Sequence, residues 1–129
     1  MSAFLDTDVL IDCFRGTPEG RGWLESHASE AFQIPGIVAM ELVVGCRDKA
    51  ALRRVHKLLE TFEIVWPDPV EFQHAYELLT EHYLASSTGI ADCLIAAMCL
   101  RRSMRLYSFN LRHYRAIESL EVLEPYERA

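Results

Sequence analysis

The chain has 129 residues, half of them hydrophobic and a quarter charged, and a net charge of −6. That length suits one domain with a real core, taken as residues 1–129, and no apolar run is long enough to span a bilayer. The amino-terminal stretch has no basic region followed by a long apolar one, so a cytoplasmic protein away from membranes is expected, and the acidic balance excludes holding nucleic acid by bulk electrostatics while leaving local capture of a phosphate open.

Ala3, Phe4 and Leu5 make a short apolar run that reads as a buried strand ended by Asp6. Thr7 and Asp8 are good N-cap types, and residues 9–14 follow as a short helix. Gly16 to Gly20 reads as a loop, and a second short helix is expected around Gly22 to His27. Ala31 to Ile34 is a second strand, stopped by Pro35 and Gly36. Ile37 to Val44 is apolar except for Glu41, and Gly45 ends it.

Arg47 to Phe62 is an amphipathic helix, with Leu52, Val55, Leu59 and Phe62 on one face and Lys49, Arg53 and Lys57 on the other. Ile64 to Trp66 is a third strand. Asp68, Pro69 and Glu71 then supply an N-cap, a first-position proline and a capping-box acid. The helix they open is expected to bury Phe72, Ala75, Tyr76, Leu79 and Tyr83. Gly89 to Leu100 is apolar almost all round, which predicts a buried helix. Leu106 to Phe109 is a fourth strand, a short helix follows near His113 to Ile117, and Val122 with Leu123 is a fifth strand. Short strands alternating with helices predict an α/β domain, a parallel sheet of about five strands flanked by helices. Such sheets bind ligands at the carboxyl ends of their strands.

Three carboxylates break apolar segments: Asp6, Glu41 and Asp92. Each alone has an ordinary reading, as a cap, an exposed helix acid or a first-turn acid favoured by the helix dipole. Three converging in a poorly solvated pocket would repel one another, and a hard dication such as Mg²⁺ or Mn²⁺ would remove that repulsion. The chemistry this suits is metal-assisted attack of water on a phosphodiester. Asp8 reads as an N-cap and Asp12 as a solvated or partner-facing charge. The histidines form no dyad, and His113 and Arg112 read as surface charge. Two basic groups, Arg101, Arg102, Arg105, Arg112 and Arg115 in one and Lys49, Arg53 and Lys57 in the other, read as solvated faces with RNA phosphates as the alternative. Cys13, Cys46, Cys93 and Cys99 form no Cys-x-x-Cys pair, so free thiols filling core space are expected.

Four motifs in order carry a family resemblance. Phe4-Leu5-Asp6-Thr7-Asp8-Val9-Leu10-Ile11 resembles an opening "LDT" strand, and Ile34 to Gly45 resembles an "E-L-x-x-G" helix. Gly89-Ile90-Ala91-Asp92-Cys93-Leu94-Ile95-Ala96-Ala97 resembles a "D-x-L-I-A-A" helix. Leu106 to Tyr114 resembles "L-x-T-x-[DN]-x-x-H/D-F". Together they are similar to the PIN-domain ribonucleases that form the toxin half of VapBC toxin–antitoxin pairs. The resemblance implies a Mg²⁺- or Mn²⁺-dependent endoribonuclease, a homodimer, and inhibition by a VapB-type antitoxin. It assigns Asp6, Glu41 and Asp92 to the metal and Asn110 to the fourth catalytic position. Asn110 brings no charge where four-acid relatives have an acid, and Ser108 stands where the motif has Thr. One tight metal site is therefore expected. A catalytically weak PIN-fold module for RNA or partner binding is the alternative. A phosphoacceptor receiver domain fits poorly, because Lys49 and Lys57 are the only lysines and neither follows a late strand.

Overall fold

The structure, a computed structural model, describes residues 2–128. The elements in order are β1 (Ser2–Leu5), α1 (Thr7–Phe14), α2 (Pro18–Ser26), β2 (Ala31–Pro35), α3 (Gly36–Val44), α4 (Lys49–Leu59), β3 (Glu63–Val65), α5 (Pro69–Ser86), α6 (Ile90–Arg102), β4 (Arg105–Tyr107), α7 (Leu111–Tyr114) and β5 (Val122–Leu123). The strands form one five-stranded sheet in the order β3-β2-β1-β4-β5, every pairing parallel. Phe4 of β1 lies opposite Gln33 of β2 on one side and Leu106 of β4 on the other.

This order fixes where a site forms. The chain moves one way from β1 through β2 to β3, then crosses back to β4 on the far side of β1. Right-handed crossovers therefore put α1 to α4 on one face and α5 to α7 on the other. Most helix contacts group accordingly, α1 with α2 and α3, α3 with α4, and α5 and α7 with α6, while α3 and α6 meet across the two groups. The direction reverses between β1 and β4, and the crevice beyond their carboxyl ends is the expected ligand position. Asp6 directly follows β1 and Ser108 directly follows β4.

The core is apolar and built where the sequence is most apolar. Phe4, Leu5, Ile34 and Leu106 of the sheet are fully buried, and so is α6 from Cys93 through Cys99. Among the cysteines, Cys93 and Cys99 fill this core and Cys13 and Cys46 are half-buried at its margin, all as free thiols. Gly36 opens α3 with no room for a Cβ, because the Trp66 ring lies against it.

Strand β4 ends at Tyr107 rather than Phe109 and α7 runs Leu111–Tyr114 rather than to Ile117, and two other elements differ more from the sequence-based expectation. Helix α2 starts at Pro18, inside the stretch read as a loop. Thr17 caps it, accepting from Gly20 N at 3.1 Å, and proline at the first helical position lacks only an N–H that would go unpaired anyway. In α5 the aromatic stripe faces outward, with Phe72 53%, Tyr76 70% and Tyr83 56% exposed. Ala75 is buried as expected and Leu79 packs half-buried against the core, but the rest of the packed face is Glu71 and Leu78. Glu71 is fully buried because Arg102 of α6 meets it through two hydrogen bonds, of 2.7 and 2.8 Å. That ion pair turns the helix so that its acid, not its aromatics, meets α6.

Candidate active site at the carboxyl edge of the sheet

Asp6 is where β1 becomes α1. Its backbone N donates to Tyr107 O of β4 at 3.0 Å, which ties it to the sheet. Its side chain caps α1, with Oδ1 accepting from Thr7 N at 2.8 Å. Oδ2 accepts from Ser108 Oγ at 2.7 Å and from Tyr114 OH at 2.9 Å. A carboxylate oxygen has about two acceptor sites, so Oδ2 is saturated and Oδ1 keeps one open. Asp6 is 5% exposed, and burial raises its pKa. The bonds from Ser108, Thr7 and Tyr114 pull it back down, and the nearby charge of Asp92 pushes it up again.

Asp92 lies in the first turn of α6. Its Oδ2 accepts from Gly89 N at 3.1 Å, one half of a capping box, since glycine has no side chain to return the bond. His113 Nδ1 lies 3.5 Å from the same oxygen. Glu41 is exposed on α3 and accepts from Thr7 Oγ1 at 2.6 Å, one residue from Asp6. Asn110 is exposed at the rim, where its backbone N donates to Ser108 Oγ at 3.0 Å and its side chain caps nothing. The structure thus brings Asp92 within electrostatic reach of Asp6 and links Glu41 and Asn110 to it through Thr7 and Ser108. Among the described residues no three His, Cys, Asp or Glu side chains are gathered as a ready cation cage.

Other sequence-based readings change. Asp8 does not cap α1, because Asp6 does. Its Oδ2 accepts from Phe109 N at 3.1 Å, while Oδ1 is buried with no partner among the described residues. Burial first, and then the charge of Asp6, lift the Asp8 pKa to about 6. Asp12 is not solvated but held by Tyr126 OH at 3.0 Å and Arg128 Nε at 3.2 Å. Arg101 pairs with Asp68 at 3.2 Å and Arg102 with Glu71, roughly 13 Å of helix from Asp92. Those two arginines hold α5 to α6 rather than forming one patch with Arg112 and Arg115.

Sequence reasoning missed Tyr114, whose buried hydroxyl reaches Asp6, and took His113 for surface charge. The family motif has Phe where this chain has Tyr, which marks the added hydroxyl but not its partner.

The donor chemistry suits a hard divalent cation. Carboxylate oxygens are the ligands that Mg²⁺ and Mn²⁺ prefer. Asp6 Oδ1 has an open acceptor site, and Asp8 Oδ1 is a buried carboxylate oxygen with no hydrogen-bond donor among the described residues.

The family model described as "PIN domain" matches residues 3–118. Among curated proteins, the chain is 27% identical over 118 residues to "Ribonuclease VapC10" of Mycobacterium tuberculosis, covering 91% of this chain and 89% of the relative. It is 28% identical to "Ribonuclease VapC1" of Rickettsia felis, covering 95% and 96%. A toxin–antitoxin complex from Klebsiella pneumoniae contains a chain of the same fold, with TM-score 0.79, 27% identity and coverage of 98% and 99%. The fold also matches a chain of VapBC2 from Rickettsia felis, solved on a DNA fragment from its promoter, with TM-score 0.81 and 22% identity over 95% of this chain and 98% of that one. The chain belongs to the PIN-domain family, and over nearly its whole length it is similar to VapC ribonucleases.

Proposed function

We propose that the chain, as one PIN domain over residues 1–129, is a metal-dependent endoribonuclease and the toxin of a toxin–antitoxin pair, acting in the cytoplasm. The observation that carries this reading is the buried Asp6 at the point where strand order reverses, with the charge of Asp92 acting on it. The names of the VapC relatives supply the substrate class, RNA.

Asp6, Asp92 and Glu41 are the residues that would hold Mg²⁺ or Mn²⁺. When bound, such an ion neutralises clustered charge and polarises a phosphodiester as a Lewis acid. The protein's own part is orientation. Ser108 and Tyr114 fix the Asp6 carboxylate, Gly89 N and His113 fix Asp92, and Thr7 Oγ1 holds Glu41 beside them. Asn110, at the rim, is positioned to donate to or accept from a substrate group.

A VapB-type antitoxin and a second copy of the chain are the proposed protein partners. Met40, Val43 and Val44 of α3 are exposed and line an apolar groove with Trp66, and Lys49, Arg53 and Lys57 border the adjoining groove on α4. An antitoxin segment with apolar and acidic residues would suit both. The outward aromatic stripe of α5 would suit the second copy. The alternative, a catalytically weak binding module, is favoured by Asn110 and by the absence of a gathered three-residue cage among the described residues.

Incubation with structured RNA separates the two. The enzyme reading expects cleavage with Mn²⁺ or Mg²⁺, none with EDTA, and recovery when metal is restored. RNA left intact by the metal-supplied protein supports the binding module.

A further inference from the structure

Beside Asp92 lies a groove that the acids do not use. It is a cavity of about 560 Å³ formed where the end of α5 meets α7, with Ser86, Ser87, Arg112, His113 and Arg115 around it. Thr88 is fully buried and donates from Oγ1 to His113 O at 3.1 Å, which fastens α7 to the loop before α6. His113 also faces Asp92, so the groove adjoins the acidic pocket.

Its charge is positive on a chain that is acidic in sum. Asp and Glu outnumber Lys and Arg 19 to 13, and Arg101, Arg102 and Arg128 are each paired with an acid. Arg112 and Arg115 are exposed, and their guanidinium groups have no ion pair or hydrogen bond among the described residues. Two guanidinium groups are thus left facing solvent next to the pocket. Guanidinium forks match phosphate oxygens in geometry and charge. The other lining residues, Ala85 and Ala116 with the two serines, are small. They admit a strand closely, and His113 is the one ring among these lining residues for a base to stack on.

We propose that the Arg112–Arg115 groove takes the sugar–phosphate backbone of the RNA strand next to the bond that is cut, by charge and without reading base identity. This rests on the ribonuclease reading and adds the route by which substrate approaches it. Contacts to phosphate position a nucleic acid, whereas contacts to base edges select its sequence. Cleavage preference is therefore set elsewhere in the site.

The test is fluorescence anisotropy with a single-stranded RNA oligonucleotide in EDTA, across a salt series, followed by cleavage kinetics with Mn²⁺. It compares the parent, Arg112→Ala/Arg115→Ala, and Lys49→Ala/Lys57→Ala on the separate α4 stripe. The arginine variant is expected to bind RNA about tenfold more weakly, with a log–log salt slope shallower by about 1.4, or ~0.7 for each lost phosphate contact. Its loss in cleavage falls on KM and its cut positions stay those of the parent. The lysine variant is expected to bind RNA as the parent does. Parent-like affinity and slope in the arginine variant, beside a parent that cleaves RNA, overturn this inference alone. A parent that neither binds nor cleaves RNA overturns the ribonuclease reading with it. Unchanged RNA binding with lost binding of an acidic antitoxin peptide assigns the groove to a protein instead.

Discussion

Asp6 has one open acceptor site because its neighbours take the others. Charge-assisted hydrogen bonds such as those from Ser108 and Tyr114 are each worth about 1.5–3 kcal/mol, enough to hold a carboxylate in one orientation. Tyr114→Phe is expected to keep the fold, lower the melting temperature, and slow RNA cleavage about tenfold, on the order of 1.4 kcal/mol. Ser108→Ala is expected to act in the same direction, and the double variant to lose less than the sum, since both donors serve Oδ2. Cleavage rates beside melting curves check this, and strictly additive losses would contradict a shared role. Three carboxylates with Asn110 also predict one tight metal ion per chain by calorimetric titration, and two tight ions would contradict that. The acids were legible in the sequence because each interrupts an apolar segment. Tyr114 was not, since a buried aromatic near Ile117 reads as core and its hydroxyl bond to Asp6 spans 108 positions. Asp8 misled because it follows two other cap-forming residue types, and only the backbone shows that Asp6 is the cap.

The pairing of α5 with α6 depends on Glu71 and Arg102. Removing one member of a buried ion pair costs about 3–5 kcal/mol, and Arg102 is partly exposed, so Glu71→Gln is expected to cost about 2–4 kcal/mol by urea unfolding. Hydrogen bonding from Arg102 holds the Glu71 carboxyl below its usual range. A lowered folded pKa stabilises the native state above the unfolded value of about 4.3, and that stabilisation is lost as pH falls through the folded value. Unfolding followed from pH 7 down to pH 3 should therefore show a shallower acid loss in Glu71→Gln than in the parent. Equal slopes would remove this pair from the acid response. The boundaries of α5 were legible from its capping box, but its orientation was not. A period of 3.6 residues shows that a helix has an apolar stripe, not which side the core takes, and the partner that decides it lies 31 positions away.

At the scale of the whole molecule, the apolar stripe of α5 and the groove between α3 and α4 stand outside the core. The proposed seat of a second copy on α5 predicts a dimeric parent in sedimentation analysis and a monomeric Phe72→Ser/Tyr76→Ser variant with little change in melting temperature. A dimer that persists would place the second copy elsewhere. The parallel sheet was legible from the alternation of short strands and helices. The strand order was not, because nothing local to β3 or β4 says on which side of β1 each will pair. That order is what sets Asp6 and Ser108 side by side across 102 positions and makes the crevice beyond them the candidate site. The most direct test of that site is Mn²⁺-supported RNA cleavage by the parent, Asp6→Asn and Asp92→Asn, each purified in parallel and shown by circular dichroism to be folded. Cleavage by the parent with at least a hundredfold loss in both variants is the predicted result. Parent-level cleavage in either variant would contradict the assignment of these carboxylates.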